Sequence, residues 1–135
     1  MTMSAKFRRD VAALGEVFEL VEAFFSREAL SARLRYPVDL AVEEVFTNFV
    51  KYNADAASDI GVSLRKEEGE LVVSVTDFES VPFDLTKRVP PDISAPLGQR
   101  TPGGLGIHLV QNVMDRVEYE HRNRQSTVTL YKRLD

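Results

Sequence analysis

From residue 58 onward the spacing of apolar side chains changes from about 3.6 to 2, which restricts the chain to folds that lay helices on a sheet. Before the change, Asp10 stands ahead of an apolar series at Val11, Leu14, Phe18, Val21 and Phe25, which predicts an amphipathic helix over about 10–29. A second helix is expected from near Pro37, tolerated in a first turn, to about Asn53, with Ala41, Val45, Phe49 and Tyr52 on its inner face. After the change, Ile60, Val62 and Leu64 alternate with Gly61, Ser63 and Arg65, and a turn at Glu67 to Gly69 leads to Leu71, Val73 and Val75. A short helix carries Ile107, Leu109, Val110 and Val113, and two more alternating segments, Val117 to His121 and Ser126 to Leu130, close the chain. A short strand at Lys6 to Arg9 fits before the first helix.

Alternating strands have one wet face, so the sheet is expected to carry helices on one side only. The resulting fold class is α/β (α+β): a two-layer sandwich with a mixed, largely antiparallel sheet covered by about three helices. At 135 residues, with 44% apolar and 28% charged, one domain over 1–135 accounts for the chain.

Composition narrows the chemistry. The chain has no cysteine and only two histidines, so thiolate sites, cysteine nucleophiles and histidine-built metal centres are disfavoured. A net charge of −4 without a basic stripe argues against direct nucleic-acid binding. No apolar h-region and no run of about 18 apolar residues is present, so a cytoplasmic chain with no membrane segment is expected. Five of the six prolines and four of the seven glycines fall between residues 82 and 106, marking the least regular part of the chain.

Three segments could carry chemistry. On the second helix Glu44 and Asn48 lie one turn apart on one face, and Lys51 and Tyr52 continue that border. A carboxamide oxygen suits Mg²⁺ on phosphates and a neighbouring carboxylate can accept a proton, although polar flanks beside an apolar stripe are also ordinary. Gly103-Gly104-Leu105-Gly106 runs straight into a helix, where unpaired amides favour an anion; a structural loop is the alternative. Asp77 ends a strand with the inward parity of Leu71, Val73 and Val75, either as a buried carboxylate needing a donor such as a purine amino group or as an exposed cap of the next turn. Ser126 shares the inward parity of Val128 and Leu130. His108, two residues past the glycine turn, reads as a packed structural histidine.

In this order, LAVEEVFTNFVKYN at 40–53, the Asp-containing strand end at 75–84 and PGGLGIHLVQNVMD at 102–115 resemble the N, first-glycine and second-glycine boxes of the GHKL (Bergerat-fold) ATPases. Within that group the short length and the ending STVTLYKRL look most like the bacterial anti-sigma-factor serine/threonine kinases.

The resemblance implies ATP and Mg²⁺ as cofactors. Asn48 would coordinate Mg²⁺, and Glu44 would activate the serine hydroxyl of a protein substrate. Lys51 and Tyr52 would border the phosphates, and the amides of Gly104, Leu105 and Gly106 would hold phosphate oxygens. Asp77 would contact adenine, Ser126 would stand where the family commonly has Thr, and about 79–102 would be the ATP lid. A sigma factor and a STAS-domain anti-sigma antagonist are the implied partners, and a homodimer is compatible.

The chain departs from the family at the first-glycine box, where Asp77-Phe78-Glu79-Ser80-Val81-Pro82-Phe83 has no glycine and one extra residue. Either Asp77 keeps the adenine contact across an insertion, or alignment from Pro82-Phe83 puts Phe78 in its place. A non-catalytic partner-binding switch module of the same fold, with weakened or lost ATP binding, is the alternative function.

Overall fold

Two hairpins frame the sheet. Strands β2 (Ile60–Glu67) and β3 (Glu70–Asp77) are joined at Glu68 (φ 50°) and Gly69 (φ 80°), and β4 (Arg116–Arg122) and β5 (Gln125–Arg133) at Asn123 (φ 52°) and Arg124 (φ 67°). Positive φ at both positions of a two-residue loop gives the turn whose twist matches the flanking strands. With β1 (Thr2–Phe7) they form a five-stranded sheet of order β1-β2-β3-β5-β4, and every pairing in it is antiparallel. The computed structural model describes residues 2–52, 56–79 and 104–134.

The helices lie on one face, as alternation requires. Asp10 caps a 3₁₀ turn, Val11–Ala13, by accepting from the Ala12 amide at 2.9 Å, and α1 (Leu14–Glu28) follows. Because the α-helical phase begins only at Leu14, Val11 is exposed and the buried stripe is Val17, Val21, Phe24 and Phe25. Ala29 closes α1 in the left-handed region at φ 53°. A second 3₁₀ turn, Ala32–Leu34, is capped by Ser31 and runs into α2 (Arg35–Tyr52), with Pro37 in its first turn. Val38, Ala41, Val42, Val45, Phe46 and Phe49 are buried along α2. A stripe this wide belongs to a helix covered on several sides; α2 packs on β3, β5 and α1 and against α3 (Gly104–Val113).

Register stacks the inward residues of the strands into rows. Met3, Leu64, Val73, Leu130 and Val117 form one, and Ala5, Val62, Val75, Val128 and Tyr119 the next. In the third, Phe7 and Ile60 give way to Asp77, Ser126 and His121, so the apolar floor ends in polar groups under the last turn of α2.

The opposite face carries small polar residues: Ser4, Gly61, Ser63, Ser74, Thr76 and Thr127, the last two sharing a hydroxyl contact of 3.1 Å. Phe78 turns onto this face, where a Cβ on Gly61 would meet its ring at 3.0 Å and the Lys6 ammonium lies 4.8 Å from the ring centre. Gly61→Val is therefore expected to cost about 1 kcal/mol less in a Phe78→Ala background than in the wild type, by urea unfolding of the four proteins. Additive effects would show that the ring does not rest on Gly61.

Candidate functional site

Asn48 is buried, 2% exposed, because α2 turns it under the helix beside Val45 and Phe49. Its Nδ2 donates to the Glu44 carbonyl at 2.6 Å. A carbonyl only accepts, so the amide orientation is fixed and the remaining atom is the oxygen. That Oδ1 is buried and has no hydrogen-bond partner among the described residues. Leaving a buried acceptor unpaired costs about 1–3 kcal/mol, and such an atom is what a hard cation would take as a ligand. The donor set therefore fits Mg²⁺ held largely through phosphates, which needs one or two protein oxygens.

Glu44 stands one turn earlier and is half-buried. Desolvation pushes its carboxyl above the usual glutamate range, Glu43 adds to the shift and Lys51 opposes it. A carboxylate made more basic in this way is a better proton acceptor near neutral pH. It also has a cost in stability. The folded state holds the Glu44 proton more tightly than the unfolded state, so this group's contribution falls as pH rises from the unfolded to the folded pKa. Glu44→Gln, uncharged throughout, is expected to melt above the wild type at about pH 7 and to lose that advantage at about pH 4. A melting difference independent of pH would contradict the shift.

Asp77 ends β3 with its side chain inward and fully buried, not exposed at a turn. Phe78 lies on the other face, so Asp77 and not Phe78 occupies the inner position. The residue holding Asp77 is Arg9. Nη1 donates to Oδ2 at 3.1 Å and Nη2 to Oδ1, while Nε reaches the Ser58 carbonyl at 3.1 Å and Nη1 also the Phe49 carbonyl at 3.2 Å. Both side chains of the pair are nearly inaccessible, 4% and 1% exposed. Asp77 Oδ1 also accepts from the Glu79 amide at 3.0 Å, and Glu79 receives the Ser58 hydroxyl at 2.9 Å.

Arg9 is the residue sequence reasoning missed. It shares the inward parity of Phe7 two residues earlier, which was the available signal. Beside Asp77 in the register, Ser126 is fully buried, with its hydroxyl 3.0 Å from both the Tyr119 hydroxyl and His121 Nδ1.

Gly104, Leu105 and Gly106 form the first turn of α3, where amides have no partner within the helix. Lys51 is exposed at the end of α2. The Tyr52 side chain, Gly103 and the segment from 80 to 102 lie outside the described residues. His108 is half-buried, with Nε2 buried and without a hydrogen-bond partner among the described residues. Asn48 and Asp77 are thus joined through one guanidinium: Arg9 contacts Asp77 and the carbonyl of the residue next to Asn48.

A family model for the histidine kinase-like ATPase domain matches residues 7–132. The serine/threonine-protein kinase BtrW of Bordetella bronchiseptica is 27% identical over 106 residues, covering 77% of this chain and 74% of that protein. The serine-protein kinase RsbW of Halalkalibacterium halodurans is 33% identical over 98 residues, covering 66% of this chain and 60% of that protein. Among solved structures, the RsbU and RsbW domains of a Mycobacterium tuberculosis protein superpose with a TM-score of 0.71 at 15% identity, covering 99% of this chain and 32% of that one. The SiaB–SiaC complex of Pseudomonas aeruginosa follows with a TM-score of 0.65 at 14% identity, covering 96% of this chain and 88% of that one. These two likenesses concern the fold.

Proposed function

We propose that this chain, which belongs to the histidine kinase-like ATPase domain family, is an ATP-binding serine/threonine protein kinase of anti-sigma regulation. It phosphorylates a STAS-domain antagonist and sequesters a sigma factor. The observation that carries this reading is the buried Asn48 Oδ1, without a partner among the described residues, one helical turn from the raised carboxyl of Glu44. Two relatives named as serine kinases support it.

In this reading Asn48 Oδ1 holds Mg²⁺, and the ion, when bound, neutralises charge on the triphosphate. The first-turn amides of Gly104, Leu105 and Gly106 bind phosphate oxygens, with Lys51 and Tyr52 at the border. Asp77 accepts the purine amino group, with Ser126 beside it, and 79–102 acts as the lid. Glu44 takes the proton of the substrate serine hydroxyl. Its oxygen bonds to the γ-phosphorus as the bond from that phosphorus to the β–γ bridging oxygen breaks, and ADP leaves with the electron pair. The phosphate added to the antagonist brings close to two negative charges to a docking surface, enough to change which partner is held.

Incubating the chain with Mg²⁺-ATP and a candidate STAS-domain protein should add one phosphoryl group to a serine of that protein, seen by mass spectrometry and absent from its Ser→Ala variant. Weak or absent Mg²⁺-ATP binding, with no transfer to any STAS-domain protein, would favour a non-catalytic partner-binding switch module of the same fold. The missing glycine after Asp77 and the engagement of Asp77 by Arg9 give that second reading its footing.

A further inference from the structure

We infer that Arg9 competes with the purine for Asp77: it holds that carboxylate in the nucleotide-free protein, and a purine amino group reaches it only after the guanidinium has let go. The inference rests on the reading of Asp77 as the contact to the purine amino group, and it says in which state that contact is made. Arg9 lies outside all three sequence motifs, yet its Nη1 and Nη2 donate to the two oxygens of Asp77. These are N–H···O bonds of the kind a purine amino group would make. The Glu79 amide takes a further position on Oδ1 at 3.0 Å, and both side chains of the pair are buried. A ligand does not reach this carboxylate while Arg9 stays.

The arginine itself marks the way in. Arg9 belongs to the short connection between β1 and the 3₁₀ turn Val11–Ala13, where its neighbours Arg8 and Asp10 are exposed. Its side chain enters from the surface, so its withdrawal opens Asp77 from that side. Withdrawal also gives up the Ser58 and Phe49 carbonyls. Magnitudes set the consequence. Opening a buried, bidentate pair is costly enough to leave about one molecule in a hundred or fewer competent, and apparent affinity falls by that fraction. A hydrogen bond from a purine N–H to a carboxylate returns about 10- to 100-fold. The cost meets or exceeds the return, so in the wild type nucleotide is held mainly through Mg²⁺ and the phosphates, and the base adds little selectivity.

The test compares ATP with inosine triphosphate, which has an oxo group in place of the amino group, by titration of the full chain with Mg²⁺ present. In the wild type the two affinities are expected to agree within about threefold. In Arg9→Ala, which removes the competitor and leaves the carboxylate, the preference for ATP should rise to about tenfold or more. Arg9→Lys, which keeps the charge and loses the fork, should fall between the two.

An Arg9 that only braces the fold would lower the melting temperature of Arg9→Ala without raising its preference for ATP. A preference no larger than that of the wild type therefore overturns the inference. If both proteins then prefer ATP by about tenfold, Asp77 stands as the purine contact and only the competition by Arg9 is lost. If neither prefers ATP, Asp77 leaves purine recognition and the inference goes with it. Should Arg9→Ala not fold, Arg9→Lys decides: a preference above that of the wild type supports the inference, and an equal or smaller one overturns it.

Discussion

Replacing Asn48 by Ala is expected to weaken Mg²⁺-ATP binding by about 100-fold and to change the melting temperature of the nucleotide-free protein very little. The first effect follows from removing the oxygen that would hold the cation, since interactions with charged groups are each worth about 1.5–3 kcal/mol. The second follows from compensation. The variant loses the 2.6 Å bond to the Glu44 carbonyl, but it also loses a buried acceptor that has no partner among the described residues. These terms are of similar size, so the net change stays within about 1 kcal/mol.

Glu44→Gln supplies the contrast. It should keep nucleotide affinity and lower phosphoryl transfer by about 10²- to 10⁴-fold, the usual contribution of a positioned general base. Calorimetry on both variants, with a transfer assay, checks the division. Equal loss of binding in both would merge the two roles and contradict it.

The second large effect concerns the fold. Asp77→Ala leaves the Arg9 guanidinium, 4% exposed, without its counter-charge. Breaking a buried pair from one side costs about 3–5 kcal/mol, a large part of the ~5–15 kcal/mol that holds a domain together. The melting temperature should fall by about 10–20 °C. Asp77→Asn, which keeps an acceptor oxygen for one arm of the fork, should fall by less. A shift of only a degree or two in Asp77→Ala would mean that the pair contributes no net stability.

The same pair shows where reading the sequence stops. The two apolar periods fixed which segments are helices and which are strands, because burial on one face leaves a repeat that needs no knowledge of neighbours. Parity along β3 and β5 turned Asp77 and Ser126 inward, and the structure places both there, fully buried. Helical spacing put Glu44 and Asn48 on one face, but not the depth of Asn48, which depends on α3 and the sheet closing over α2.

The phase of α1 was hidden because a 3₁₀ turn precedes the helix and offsets Val11 from the buried stripe at Val17 and Phe24. Arg9 was hidden for a different reason. Its partner is 68 residues away, and beyond the parity it shares with Phe7 nothing local shows that this arginine finds a buried carboxylate. The ATP lid read from the prolines and glycines lies almost wholly outside the described residues, and its role is part of the proposed function.

The central claim is that Asn48, Glu44 and the first turn of α3 form a Mg²⁺-dependent site for ATP. Calorimetric titration of the full chain with ATP, with and without Mg²⁺, tests it most directly. Saturable binding that weakens by tenfold or more when Mg²⁺ is withheld is the predicted result. No heat with either form at millimolar nucleotide, from a protein shown to be folded, would contradict it.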